Sequence, residues 1–143
     1  MNRYVVDASV VLKWFLRDEI EGPRALAVLD RFLTGALDII APALLEFEVI
    51  NGLRIAGKRG RISNRAVKDA ARAFLDLGLQ FVPLSFYAEG TLDLAEKYDL
   101  SAYDASYPAL AVESGIDLIT ADEKLLRAAK DRCFRARRLG EFT

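Results

Sequence analysis

The chain has 143 residues, 52% of them apolar and 29% charged, which is enough to bury one core and too mixed a composition for a disordered tail. Twenty basic residues against twenty-one acidic ones leave a net charge of −1; this argues against gripping nucleic acid by bulk positive charge and leaves that task to local patches or a metal. The sequence contains no histidine, so a histidine general base, a Ser-His-Asp triad, a Cys-His pair and a histidine-rich zinc site are all excluded.

Tyr4-Val5-Val6 is a short β-favouring run stopped by Asp7 and predicts a buried first strand. Val10, Val11, Trp14 and Phe15 then recur at helical spacing. Gly22-Pro23 breaks the chain and opens a second helix that Thr34-Gly35 ends. Leu37–Ile40 reads as a second strand. A third helix is expected from Pro42 to about Gly57, and a fourth from the Ser63-Asn64 cap to Gly78. Phe81–Leu84 reads as a third strand, of edge type because of Pro83. Helices fit 86–98 and 103–114, Asp117–Thr120 fits a fourth strand, and a helix from Glu123 leads to a last strand near Phe134–Leu139. Strands alternating with amphipathic helices predict an α/β domain on a mainly parallel sheet, with residues 1–143 as one domain.

A single cysteine, Cys133, rules out an internal disulfide and fits a reducing compartment; it is expected to act as a small residue near the last strand. The first residues reach a charge too soon for a signal peptide or a membrane span, so the expectation is a soluble, cytoplasmic protein with no membrane partner. Without histidine, any catalysis falls to carboxylates, hydroxyls, lysine, arginine or a bound metal. Hard oxygen ligands point to Mg²⁺ or Mn²⁺.

Open parallel sheets bind ligands beyond the carboxyl ends of their strands, where the strand order reverses. Asp7 ends the first strand and Asp122 follows the fourth. Asp104 opens the helix leading into that fourth strand. Glu48 lies in the third helix, after Leu44 and Leu45 on a largely apolar face; Glu46 is about 200° away around the helix, so only one of the two can face a given pocket. Each acid also has a plain structural reading. Asp7 can cap the helix that follows it, Ser101-x-x-Asp104 and Thr120-x-x-Glu123 match capping boxes, and Glu48 can be a solvated helix residue. Two carboxylates about 5 Å apart repel by roughly 3 kcal/mol at an effective dielectric near 20. A cluster of them therefore needs protons or a cation, and a divalent metal supplies the charge and can activate water without histidine. The expectation is that Asp7, Glu48, Asp104 and Asp122 meet in one oxygen-lined cation cage.

Four segments in order, Val5-Val6-Asp7-Ala8-Ser9, Glu48–Leu53, Tyr103–Ala111 and Ile119–Leu125, resemble the motifs of the PIN-domain family, and within it the VapC toxins of prokaryotic VapBC toxin–antitoxin pairs. The resemblance spans nearly the whole chain. It implies a Rossmann-like sheet of strand order 3-2-1-4-5 and a metal-dependent endoribonuclease, cleaving by metal-activated water to leave a 5′-phosphate and a 3′-hydroxyl. It also implies Asp7 and Asp104 as principal metal ligands, Asp122 in the same shell or acting through water, Glu48 as a helper, and Ser9 and Thr120 as accessory hydroxyls that fix the acids. A cognate VapB-type antitoxin and a homodimer are implied as partners, with RNA as substrate. A catalytically silent PIN-like module that binds RNA or protein is the alternative. An aspartyl phosphatase or receiver domain fits less well, since Asp7 is followed by Ala8-Ser9 where such enzymes need a second acid.

Basic residues gather in two stretches, Arg54 to Arg72 and Lys124 to Arg138. They read as a solvated helix face or as a rim that positions an RNA backbone without specifying it. Tyr103 and Tyr107 are the aromatics that could read RNA bases. Trp14 and Phe15 read as core or as part of an antitoxin groove. Pro108 is expected to distort the early turns of its helix unless it falls within the first.

Overall fold

The computed structural model describes residues 2–141. Its sheet has five strands, β1 (Asn2–Val6), β2 (Leu37–Pro42), β3 (Gln80–Val82), β4 (Asp117–Ile119) and β5 (Ala136–Arg137), in the order β3-β2-β1-β4-β5. Every pairing is parallel. The helices are α1 (Ala8–Phe15), α2 (Gly22–Leu33), α3 (Leu44–Lys58), α4 (Asn64–Asp76), α5 (Ala88–Tyr98), α6 (Ala102–Ser114) and α7 (Glu123–Ala128), with short 3₁₀ turns at 84–86, 129–131 and 139–141. The expected strand order and alternation of strand and helix are both present.

β1 is the central strand because Val5 and Val6 are fully buried and can be covered on both faces. It pairs with β2 through Val5↔Ile40 and with β4 through Val6↔Ile119. The sequence order of the strands reverses between these two neighbours. The residues that follow Val6 and Ile119, Asp7 and Thr120, leave the sheet side by side at that point, which is where ligands bind in open α/β sheets.

Several elements differ from the sequence reading, among them the last strand, which is Ala136–Arg137 where Phe134–Leu139 is expected, Leu139 opening a 3₁₀ turn instead. Pro42 closes β2 instead of opening α3; it lies past Ile40, the last residue of β2 paired with β1, so its missing N–H interrupts no bond to that strand. β3 is shifted to Gln80–Val82, with Pro83 just after it, and it does form the sheet edge. α6 runs unbroken through Pro108, although that proline removes the N–H that would bond the Asp104 carbonyl. Residues Ala105–Ala111 are all buried, and packing on every side keeps the helix continuous past the missing hydrogen bond.

Trp14 is core, with Nε1 donating to the Ala25 carbonyl at 2.8 Å. Phe15 meets the buried Phe74 edge to face, centroids 6.5 Å apart. Cys133 departs from expectation. It is exposed, and Lys97 Nζ donates to its sulfur at 2.7 Å. No helix among the described residues is long and apolar enough to cross a membrane.

Candidate active site

Asp7 sits at the N-cap position of α1, yet its side chain makes no cap hydrogen bond. The carboxylate turns back towards the strand ends. Ser9 Oγ donates to its Oδ1 at 2.5 Å and Thr120 Oγ1 donates to its Oδ2. Thr120, fully buried, also accepts the Asp122 N–H at 3.0 Å, and Ser9 Oγ accepts the Ala121 N–H at 2.9 Å. The two hydroxyls thus fasten the end of β1 to the end of β4. Burial pushes the Asp7 carboxyl up to about 6, with the two hydroxyls pulling it down and the charge of Asp122 adding to the rise.

The N-cap of α7 is Asp122, which accepts the Lys124 N–H at 2.8 Å, and not Thr120 as the Thr120-x-x-Glu123 pattern predicts, since the Thr120 hydroxyl is taken by Asp7 and the Asp122 N–H. Asp104 lies in the first turn of α6, where its N–H donates to the Ser101 cap at 3.0 Å. Its carboxylate does not complete that box; it receives Lys124 Nζ at 3.0 Å. Glu48 on α3 accepts the hydroxyl of Tyr107 on α6. Burial raises the Glu48 carboxyl, Tyr107 lowers it, and the nearby charge of Asp104 raises it further. Glu48 is therefore the glutamate that turns to the other acids, and Glu46 makes none of these contacts.

α1 and α3 approach closely enough for this because Gly52 has no side chain. A Cβ there would meet Leu12 Cδ1 at 2.6 Å. The glycine of the second motif therefore acts by letting two helices pack.

The four acids are linked in space, Asp7 to Asp122 and Glu48 to Asp104 by mutual repulsion, and Glu48 to Asp7 through the Tyr107 that feels both. Among the described residues no three His, Cys, Asp or Glu side chains are arranged to hold one metal ion. Each of the four carboxylates has at least one oxygen bound to a donor of its own.

Two residues have other places than the sequence suggested. Tyr107 is buried (2% exposed), so it is unavailable for stacking on a base, whereas Tyr103 is 65% exposed. Several basic residues are already paired: Arg61 with Asp18 and Glu19, Arg65 with Asp69, Arg135 and Arg137 with Asp117, and Arg138 with Glu123. The Lys124–Asp104 pair and the Tyr107–Glu48 bond escaped the sequence reading, although both residues lie inside the recognised motifs. Sequence spacing does not say which acid a lysine or tyrosine from another helix will meet. Beside the acids, Leu44, Leu84, Tyr87 and Tyr103 line an apolar cavity of about 170 Å³.

Residues 4–131 match the PIN domain family. Ribonuclease VapC9 of Mycobacterium tuberculosis is 31% identical over 129 residues, covering 90% of this chain and 93% of that one. The structure of PAE2754 from Pyrobaculum aerophilum superposes with a TM-score of 0.67 at 27% identity, over 98% of this chain and 92% of that one. VapBC2 from Rickettsia felis, at 12% identity and a TM-score of 0.65 over 95% and 98% of the two chains, shares the fold. The chain belongs to the PIN-domain family, in its VapC branch.

Proposed function

We propose that the protein is a divalent-metal-dependent endoribonuclease and the toxin of a type II toxin–antitoxin pair. The observation that carries this reading is the position of Asp7. A carboxylate buried at the end of the central strand, where the strand order turns, held by Ser9 and Thr120 and repelled by Asp122, is a costly arrangement unless a cation belongs there. The ribonuclease name of the relative supports RNA as the substrate class.

Asp7, Asp104 and Asp122 would hold Mg²⁺ or Mn²⁺, with Glu48 assisting. The fit rests on a donor set of hard carboxylate oxygens with no nitrogen or sulfur donor among them. It rests also on Asp7 and Glu48 being pushed towards their neutral forms by burial and by neighbouring charge. A bound divalent ion supplies polarisation of the phosphoryl group and activation of water. The chain's own residues prepare the place. Ser9 and Thr120 fix the Asp7 rotamer, Tyr107 fixes Glu48, and the buried face of α6 keeps bulk water from the rear of the site.

A homodimer and a VapB-type antitoxin are the proposed protein partners. Leu84 and Tyr103 are exposed and line the apolar cavity, and Phe47 (78% exposed) and Phe86 are exposed on the neighbouring segments of chain. Large exposed apolar side chains of this kind suit protein contact.

The alternative is a silent RNA- or protein-binding module. One assay separates the two. Purified protein is incubated with RNA in Mn²⁺, in EDTA, and as the Asp104→Asn variant. Cleavage in Mn²⁺ alone, lost in the variant while its circular dichroism is unchanged, is the expected result. RNA binding without cleavage under every condition would establish the silent module.

A further inference from the structure

Among the described residues Lys124 supplies the one ion pair made by any of the four acids, its Nζ lying 3.0 Å from Asp104 Oδ2. Its backbone N–H is bound at the same time to Asp122 Oδ1 at 2.8 Å. One residue therefore reaches from the start of α7 to the start of α6, across the mouth of the acidic cluster. Of the four acids, Asp104 and Asp122 act on this ammonium, so one positive charge faces two negative ones. The Lys124 side chain is 57% exposed and free to swing, while that of Asp104 is 29% exposed.

We propose that Lys124 is the counter-ion of the cluster when no divalent ion is bound, and that on exchange with that ion the released ammonium binds a phosphate oxygen of the RNA. The inference rests on the metal-nuclease reading above and adds a second cation to the site. A Lys–carboxylate pair this exposed is weak, so a divalent ion on Asp104 readily displaces it. The displaced ammonium stays tethered at the N-terminus of α7, within a side chain's length of the acids. A polyanionic substrate reaching Asp104 meets Lys124 there, with Arg127 lining the same surface hollow, while Arg135, Arg137 and Arg138 are paired with Asp117 and Glu123. No proton moves in this exchange, which is a trade of ion-pair partners.

The test is Mn²⁺ titration by calorimetry on the wild type, Lys124→Met and Lys130→Met, together with RNA cleavage at saturating Mn²⁺. Lys124→Met is expected to bind Mn²⁺ more tightly by up to about fivefold, the ratio an exposed ion pair is worth. In the same variant kcat/KM for RNA is expected to fall by about tenfold or more, as for a lost charged hydrogen bond. Lys130→Met, a control for general charge on the same stretch, should leave Mn²⁺ affinity as it is. Lysine-selective ¹³C-methyl NMR gives a readout independent of cleavage, with the Lys124 signal moving to the position of a solvated lysine on addition of Mg²⁺. Tighter Mn²⁺ binding, slower cleavage and that shift together would support the exchange. Unchanged or weaker Mn²⁺ binding by Lys124→Met, or full cleavage by it, would overturn the inference and leave the metal reading standing. Failure of the wild type to bind Mn²⁺ would overturn both, and is recognised by the absence of any heat in the first titration.

Discussion

Tyr107, buried on α6, donates its hydroxyl to Glu48 on α3 and so joins two helices across the edge of the acidic cluster. The bond gives a half-buried carboxylate its one strong donor while burial and Asp104 press it towards the neutral form. The tyrosine hydroxyl is itself held protonated, by burial first and then by Glu48.

Tyr107→Phe keeps the ring and removes only the hydroxyl. Glu48 loses its donor in a half-buried position, so chemical denaturation should report a loss of about 1–3 kcal/mol at neutral pH. The rate of RNA cleavage should fall by about tenfold or more through misplacement of Glu48. An unchanged rate would mean that Glu48 takes no part in the reaction.

Asp7 gives a pH dependence with a definite sign. Its folded-state value of about 6 lies above the ordinary 3.8, so the folded protein holds a proton that the unfolded chain has released. The contribution of Asp7 should therefore be fully present below about 4 and be lost as pH rises to about 6, by about 3 kcal/mol in the metal-free protein. Glu48, also raised, adds in the same direction, against the opposite trend of Asp18, Glu123 and Asp131, whose carboxyls are lowered by their partners. Asp7→Asn should remove the Asp7 part of that dependence and stabilise the metal-free protein at pH 7, while abolishing any stabilisation by Mn²⁺. Thermal unfolding at pH 4, 5, 6 and 7, with and without Mn²⁺, checks both statements.

Thr120 serves two groups, the Asp7 carboxylate and the Asp122 N–H. Thr120→Ala should raise the Asp7 carboxyl further and weaken Mn²⁺ affinity by about tenfold or more, with Thr120→Ser restoring most of it. Calorimetry at pH 7 decides; equal affinities for all three proteins would make the hydroxyl a strand-end feature only.

The buried first strand, the mainly parallel sheet and the places of three of the four acids at strand or helix ends could be read from the chain because each is a local event, whereas the strand order came from the family resemblance. Val5-Val6-Asp7 carries its strand and its acid together, and Asp104 and Asp122 sit at helix starts that the Ser101 and Thr120 signals announce. Glu48 against Glu46 was settled by helical angle and the apolar face. What could not be read depends on contacts between elements. Tyr107 belongs to α6, but its partner is 59 positions away. Pro108 argues locally against a continuous helix, which seven consecutive buried residues sustain. Pro42 was misplaced because a strand end and a helix start favour the same residue, and only the pairing of β1 with β2 distinguishes them. Charge alone says that clustered acids need a counter-ion, and cannot say that Lys124 will pair with Asp104.

Trp14→Phe tests the separation of core from site. It removes the Nε1 bond to the Ala25 carbonyl and should lower stability by about 1–3 kcal/mol, leaving Mn²⁺ affinity unchanged in calorimetry.

The most direct measurement is a crystal soaked in MnCl₂ with data collected at the manganese edge. The account predicts an anomalous peak about 2.0–2.2 Å from carboxylate oxygens of Asp7 and Asp104, with Asp122 contacting it directly or through water and Lys124 turned away from Asp104. A well-ordered site with no anomalous density, or density only elsewhere on the surface, would contradict it.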